Sequence, residues 1–235
     1  VKRRLVLFDI DGTLLLSLGA GRRALVGALA GEVPDAAGAA RRVRFDGKTD
    51  PQIVAELLQA AGEPTPDRNR ISRILERYVE LLAEELRSAV ARCHAPEVLP
   101  GVRALLARVE AEDAALLGLL TGNVERGAWL KLQSAALAPE RFAVGAYGSD
   151  DADRDRLPEI AAARAEPWFG RRPVGEELVV IGDTPADVRT GLGFGARTVA
   201  VATGSYSADE LRRAGAQAVF DTLADVEAVW RAIWG

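Results

Sequence analysis

Six short apolar runs recur along the chain, at residues 5–10, 115–120, 143–147, 178–181, 198–201 and, more weakly, 218–220. Runs of this length with little alternation suit strands covered on both faces, as in a parallel sheet. Helical spacing separates most of them. Val102, Leu105, Leu106 and Val109 repeat at i, i+3, i+4 and i+7, and Val226, Val229, Trp230 and Ile233 do the same near the C-terminus. Pro100 and Gly101 precede the first of these helices, and Pro139 and Pro185 punctuate others. Alternating strands and helices predict an α/β fold built on an open, doubly wound parallel sheet.

One stretch breaks the alternation. From residue 14 to 96 the spacing is helical and no strand is expected. Ile53, Val54, Leu57 and Leu58 form one stripe, and Ile71, Ile74, Leu75, Tyr78, Leu81 and Leu82 a longer one, with Gly62 and Pro64 between them. About 80 residues of helix after the first strand read as an inserted all-α cap. The expected division is a core of 1–13 and 97–235 and a cap of 14–96.

Composition narrows the class. The 235 residues are 49% hydrophobic and 27% charged, with a mean hydropathy of +0.03. A chain this long buries about 70–75% of its unfolded surface, which excludes intrinsic disorder. A net charge of -4 argues against charge-driven binding to nucleic acid or an anionic membrane. Only three of the basic residues are lysines: Lys2, Lys48 and Lys131. With Cys93 and His94 each the sole residue of its type, cysteine cages and multi-histidine metal sites are excluded. Asp9 ends the first apolar run well short of the roughly seven residues a signal peptide needs. No stretch approaches the roughly 18 apolar residues of a membrane span. A cytoplasmic protein is expected, as a monomer or a homodimer. The four tryptophans read as packing residues, with Trp230 and Trp234 the place for a dimer contact.

Three strand ends carry the candidate chemistry. Phe8-Asp9-Ile10-Asp11-Gly12-Thr13 follows the first run, and ligands of open α/β sheets bind at such carboxyl ends. Alternation sends Asp9 and Asp11 to one side, and two carboxylates that close need a cation or a shared proton. Gly12 lets the chain turn away, and Thr13 is placed to donate to a phosphate. Ile181-Gly182-Asp183-Thr184-Pro185-Ala186-Asp187 is a second acidic strand end. There Thr184 caps a helix and Pro185 takes its first position. Capping alone accounts for neither Asp183 nor the convergence of four carboxylates without histidine or cysteine. That set suits a hard, oxygen-loving ion, Mg²⁺ above all. At the third end, Thr121-Gly122-Asn123, a hydroxyl and two backbone N–H groups open a helix, a phosphate-binding arrangement.

Together these motifs resemble the haloacid dehalogenase superfamily, most closely its phosphoglycolate phosphatase type, over a core from residue 5 to about 220. The resemblance implies a Rossmann-like core with a C1 helical cap. It also implies a Mg²⁺-dependent phosphatase acting on a small phosphorylated metabolite, with Asp9 as nucleophile and Asp11 as acid/base. Asp183 would hold Mg²⁺ with Asp9 and the main-chain carbonyl of Asp11, and Asp187 would support that site. Thr121, Gly122, Asn123 and a basic residue would bind the phosphate. The family's Lys-Pro is missing. The matching segment, from Gly148 to Pro158, has no lysine, and Lys131 lies too early in the chain. An arginine must substitute, and Arg154 fits better than Arg156 because it lies nearer the loop-to-helix boundary. In the cap, Lys48 is placed to reach a substrate carboxylate, although Thr49 or Asp50 as a helix cap explains the same loop.

Other readings are weaker. A P-loop at Gly47-Lys48-Thr49 fails because Arg42 stands where its first glycine belongs, and Gly19-Ala20-Gly21 follows the wrong turn for a dinucleotide site. Gly191, Gly193 and Gly195 read as a helix stop. Cys93 and His94 read as structural. Within the superfamily, Asp11 argues against a dehalogenase or a phosphonatase, whereas a sugar phosphomutase shares every core residue. A phospho-receiver module would lack the cap and need a late lysine. A silent binding protein would not need all four aspartates.

Overall fold

The computed structural model of the chain describes residues 3–63 and 65–235. Lys2, and Pro64 in the expected break between helices, lie outside them. The central strand β1 (Arg4–Phe8) leads to a two-residue strand β2 (Leu15–Leu16). Four helices follow: α1 (Ala20–Ala30), α2 (Ala36–Arg42), α3 (Asp50–Ala60) and α4 (Arg68–Ala91). The chain returns through β3 (Glu97–Val98) and α5 (Val102–Glu110) to β4 (Ala115–Thr121), α6 (Glu125–Ser134), β5 (Val144–Tyr147) and α7 (Leu157–Phe169). It ends in β6 (Leu178–Gly182), α8 (Pro185–Phe194), β7 (Arg197–Val201), α9 (Ala208–Arg213), β8 (Ala218–Phe220) and α10 (Val226–Trp234).

The six longer strands form one parallel sheet in the order β5-β4-β1-β6-β7-β8, the doubly wound arrangement expected. The apolar runs are continuous because both faces are covered. Val6 and Phe8 face the layer built by α5, α6 and α10, while Leu5 and Leu7 face the layer containing α7. Phe8 pairs in register with Leu119 of β4 and Ile181 of β6. The residues just beyond, Asp9, Thr121 and Asp183, therefore emerge side by side. The strand order also reverses about β1, and such a switch point opens a crevice at the carboxyl edge.

Helices α1–α4 bury a cluster of their own, around Leu25, Leu29, Ile53, Val54, Leu57, Leu58, Ile74, Tyr78 and Leu82. This is the inserted all-α cap. It is tied to the core where β2 and β3 pair antiparallel, Leu15 with Val98 and Leu16 with Glu97. The sequence predicts no strand in 14–96, and β2 is the exception. Two residues are too few to show a periodicity, and Leu15 is buried with the sheet's own core. A second difference lies in α8, which continues through Gly191 and Gly193 and stops only at Gly195, in the left-handed conformation. At Gly191 a Cβ would stand 2.6 Å from Thr198 Cγ2, so close packing on the sheet, and not a helix stop, requires that glycine. Trp230 is buried and Trp234 packs edge-on against it, but Trp129 and Trp168 are exposed and do not fit a packing role. Cys93 is exposed as well. Among the described residues, no helix is long and apolar enough to cross a membrane.

Candidate active site

The acidic strand ends meet. Carboxylate oxygens of Asp9, Asp183 and Asp187 all lie within 4.8 Å of one another, and all three residues are buried. Gly12 makes this possible. Its φ of 82° belongs to the left-handed region, and a Cβ there would stand 2.3 Å from Asp183 Oδ2. Thr13 Oγ1 donates to Asp183 Oδ1 at 3.0 Å. That hydroxyl is engaged within the protein, contrary to the expected donation to a phosphate, because the turn at Gly12 carries it toward β6. Asp187 has two duties. Its Oδ2 accepts from the Thr184 hydroxyl at 2.7 Å and from the Thr184 N–H at 3.0 Å, closing a capping box on α8, while its Oδ1 meets Arg154.

Arg154 is buried, bridging Asp187 and Asp9, with its Nη2 3.6 Å from Asp9 Oδ2. Arg156 faces outward, 67% exposed, near Asp151 and Asp153. Burial by itself would lower the Arg154 pKa, but Asp187 and Asp9 outweigh it and hold the guanidinium charged. Its Nε has no partner. Burial pushes Asp9 up to about 6; Arg154 and the Thr121 hydroxyl pull it back, and Asp187 and Asp11 repel it. Asp183 is raised for the same reasons, burial first and then its acidic neighbours. One cation facing three buried carboxylates leaves an excess of negative charge. The all-oxygen donor set fits a hard divalent ion.

Asp11 belongs to a different group. Its carboxylate turns from the acidic cluster toward Lys131, whose Nζ lies 2.5 Å from Oδ2. Asn123 Nδ2 donates to the same oxygen at 2.9 Å, and the Ser17 hydroxyl donates to Oδ1 at 2.8 Å. Burial would raise the Asp11 pKa, but Lys131, Asn123 and Ser17 together bring it below its ordinary value. Along the sequence Lys131 lies too early for the basic role. The structure places it inside the site all the same, because α6 runs back beneath the cap. Its position two helical turns after Asn123, with apolar neighbours, was the available signal.

At the third strand end, Thr121 is buried and accepts from Asn123 Nδ2 at 2.8 Å. Helix α6 begins two residues later than the sequence reading has it, and the residue before it, Val124, is held from the cap. Asp50 Oδ2 accepts from Val124 N at 2.8 Å, and Asp50 N donates to Gly122 O at 2.8 Å. Burial pushes Asp50 up to about 6, with Lys131 and the Val124 N–H opposing. Thr49 caps α3, and its hydroxyl donates to Ala152 O at 2.7 Å, a second tie between cap and core. Lys48 is ion-paired with Glu56 on α3. Asp9, Asp11, Lys48, Thr121, Gly122, Asn123, Arg154 and Asp183 all line one cavity of about 220 Å³ between cap and core. Arg22, which the sequence reading missed, also lines it and lies over the Phe45 ring with 4.4 Å from guanidinium to centroid.

Known proteins share the sequence pattern and the fold of this chain. The family model of haloacid dehalogenase-like hydrolases matches residues 6–191, and a second, HAD-hydrolase-like model matches 157–226. A phosphoglycolate phosphatase from Rhodospirillum rubrum is 30% identical over 229 residues, covering 94% of this chain and 88% of that protein. Among solved structures, a hydrolase from Pseudomonas syringae superposes with a TM-score of 0.72 at 22% identity, covering 98% of each chain. CbbY from Rhodobacter sphaeroides, in complex with phosphate, gives 0.72 at 20% identity over 95% of this chain and 96% of its own. A Bacteroides vulgatus structure provisionally assigned as a β-phosphoglucomutase gives 0.67 at 20% identity, covering 100% of this chain and 90% of that one.

Proposed function

Because the chain belongs to the haloacid dehalogenase-like hydrolase family and is a phosphatase of that family, we propose that it hydrolyses a small phosphomonoester of the phosphoglycolate kind through an aspartyl-phosphate on Asp9. The observation that carries this reading is the division of labour between Asp9 and Asp11. Asp9 lies in the acidic cluster beside Arg154, whereas Asp11, two residues on, is held apart by hydrogen-bond donors.

Asp9 attacks phosphorus in line, and the bond from phosphorus to the leaving oxygen breaks as that oxygen takes a proton from Asp11, which binds it when the negative charge of the phosphate enters the site and offsets Lys131. Asp11 then takes a proton from the water that attacks the phosphorus of the intermediate, and the Asp9 carboxylate is released. Asp9, Asp183, Asp187 and the Asp11 carbonyl would hold a Mg²⁺, which when bound supplies charge neutralisation at the phosphoryl oxygens. Arg154, Thr121 and the backbone at Gly122 and Asn123 would face the equatorial oxygens, where most of the stabilisation of phosphoryl transfer is needed. The cap excludes water, with Lys48 as the contact to a substrate carboxylate. The division into a core of 1–13 and 97–235 and a cap of 14–96 is part of this reading, supported by the separate apolar cluster that α1–α4 bury. A phosphomutase of the same family is the second reading, favoured by a core it would share and by the fold of the Bacteroides vulgatus structure.

The test is phosphate release from a panel of phosphorylated metabolites, with and without Mg²⁺, using Asp9→Asn as the blank. Mg²⁺-dependent release, lost on the order of 10⁴-fold or more in the variant, is expected. Isomerisation of a hexose phosphate without release would favour the mutase, and activity retained by Asp9→Asn would remove Asp9 as nucleophile.

A further inference from the structure

Two cations lie buried in the cavity, and they serve different carboxylates. Arg154 bridges Asp187 and Asp9. Lys131 is 4% exposed, and its hydrogen bonds run to Asp11 Oδ2 at 2.5 Å and Asn123 Oδ1 at 2.6 Å. Lysine is almost never fully buried unless paired, and the phosphate-facing role already has its cation in Arg154. Asn123 completes a closed figure, because its amide oxygen accepts from Lys131 while its amide nitrogen donates to Asp11 Oδ2 and Thr121 Oγ1. Ser17, in the segment between β2 and α1, holds the other carboxylate oxygen. The plane of the Asp11 carboxyl is thereby fixed from three sides.

We propose that Lys131 is a positioning residue for Asp11: with Asn123 as its second arm, it orients the carboxyl toward the departing oxygen. This rests on the reading of Asp11 as proton donor given above. The cap completes the arrangement. Gly21, in the first turn of α1, lies directly over the ammonium, where an added Cβ would stand 3.2 Å from Lys131 Nζ and 3.6 Å from Tyr78 Oη. A side chain there would press on the ammonium and shift it by a few tenths of an ångström, so docking of α1 and the aim of Asp11 are linked.

The test compares kcat/KM for an alkyl phosphate, whose alkoxide must be protonated as it leaves, with that for p-nitrophenyl phosphate, whose phenolate leaves unprotonated. Because kcat/KM reports steps up to the first irreversible one, it isolates phosphoryl transfer to Asp9 and not the later hydrolysis. Lys131→Met keeps the apolar stem and removes the charge. It is expected to lower kcat/KM for the alkyl ester about 100-fold, as a misaimed catalytic group does, and for the aryl ester by no more than about threefold, because general acid catalysis is not needed there. Gly21→Ala serves if Lys131→Met does not fold. Alanine favours the helix, and its methyl shifts the ammonium by a few tenths of an ångström, so a several-fold loss confined to the alkyl ester is expected. Parallel losses on both esters, or unchanged alkyl hydrolysis, would overturn the role of Lys131. A wild-type protein that releases phosphate from neither ester would instead overturn the phosphatase reading, and this inference with it.

Discussion

The charge imbalance in the acidic cluster predicts a stabilisation by Mg²⁺ that depends on pH. Asp9 is raised from 3.8 to about 6, chiefly by burial, and at about 1.36 kcal/mol per unit this disfavours its charged form by about 3 kcal/mol in the cation-free protein. The folded chain binds that proton more tightly than the unfolded chain. The contribution is therefore full below about pH 4 and is lost as pH rises through about 6. Bound Mg²⁺ acts in the opposite sense. At a hundred times its dissociation constant it adds about 2.7 kcal/mol, or about 5–10 °C in Tm for a domain of this size. At about pH 5 the cation must displace a proton from Asp9, and Asp183 is raised as well, so the stabilisation falls by about half or more. Thermal unfolding with EDTA or Mg²⁺ at about pH 8 and pH 5 reads both quantities. Asp183→Asn should remove most of the Mg²⁺ increment without lowering the Tm in EDTA. Equal increments at the two pH values, or none at about pH 8, would refute the reasoning.

Arg154→Met leaves Asp9 and Asp187 buried without their partner and should cost about 3–5 kcal/mol in urea unfolding of the cation-free protein; a loss under about 1 kcal/mol would show that the arginine is not structurally required. Asp50→Asn can still accept from Val124 N but carries no charge. Because burial raises Asp50 to about 6, the variant should exceed wild type by up to about 3 kcal/mol at about pH 8 and match it near pH 4, and a penalty at about pH 8 would contradict this. Lys48→Ala should raise KM chiefly for carboxylated phosphate esters, whereas equal effects on all esters would mark the Glu56 pair as merely structural.

Much of this protein was legible in its sequence because it was written locally. Five apolar strands and a weaker sixth, the all-α insertion after the first of them, and the acidic turns at Asp9-Ile10-Asp11-Gly12 and Asp183-Thr184-Pro185-Ala186-Asp187 follow from side-chain period, turn chemistry and capping within a few residues. The family's motifs could be matched on the same footing. What only the tertiary structure decided are relations between distant segments. Asp11 and Asp9 are two residues apart, yet one turns to Lys131, 120 positions away, and the other joins Asp183 and Asp187. Lys131 looks misplaced along the chain because distance in sequence says nothing about where α6 runs beneath the cap. Thr13 reads as a phosphate donor until the turn at Gly12 is seen to carry its hydroxyl to Asp183. Helix α6 follows an unremarkable Val124, whose N–H is taken up by Asp50, 74 positions earlier in the cap. A pattern of residue types fixes which groups are present and which elements carry them; burial and pairing across the fold decide which of them share a proton, a cation or a substrate.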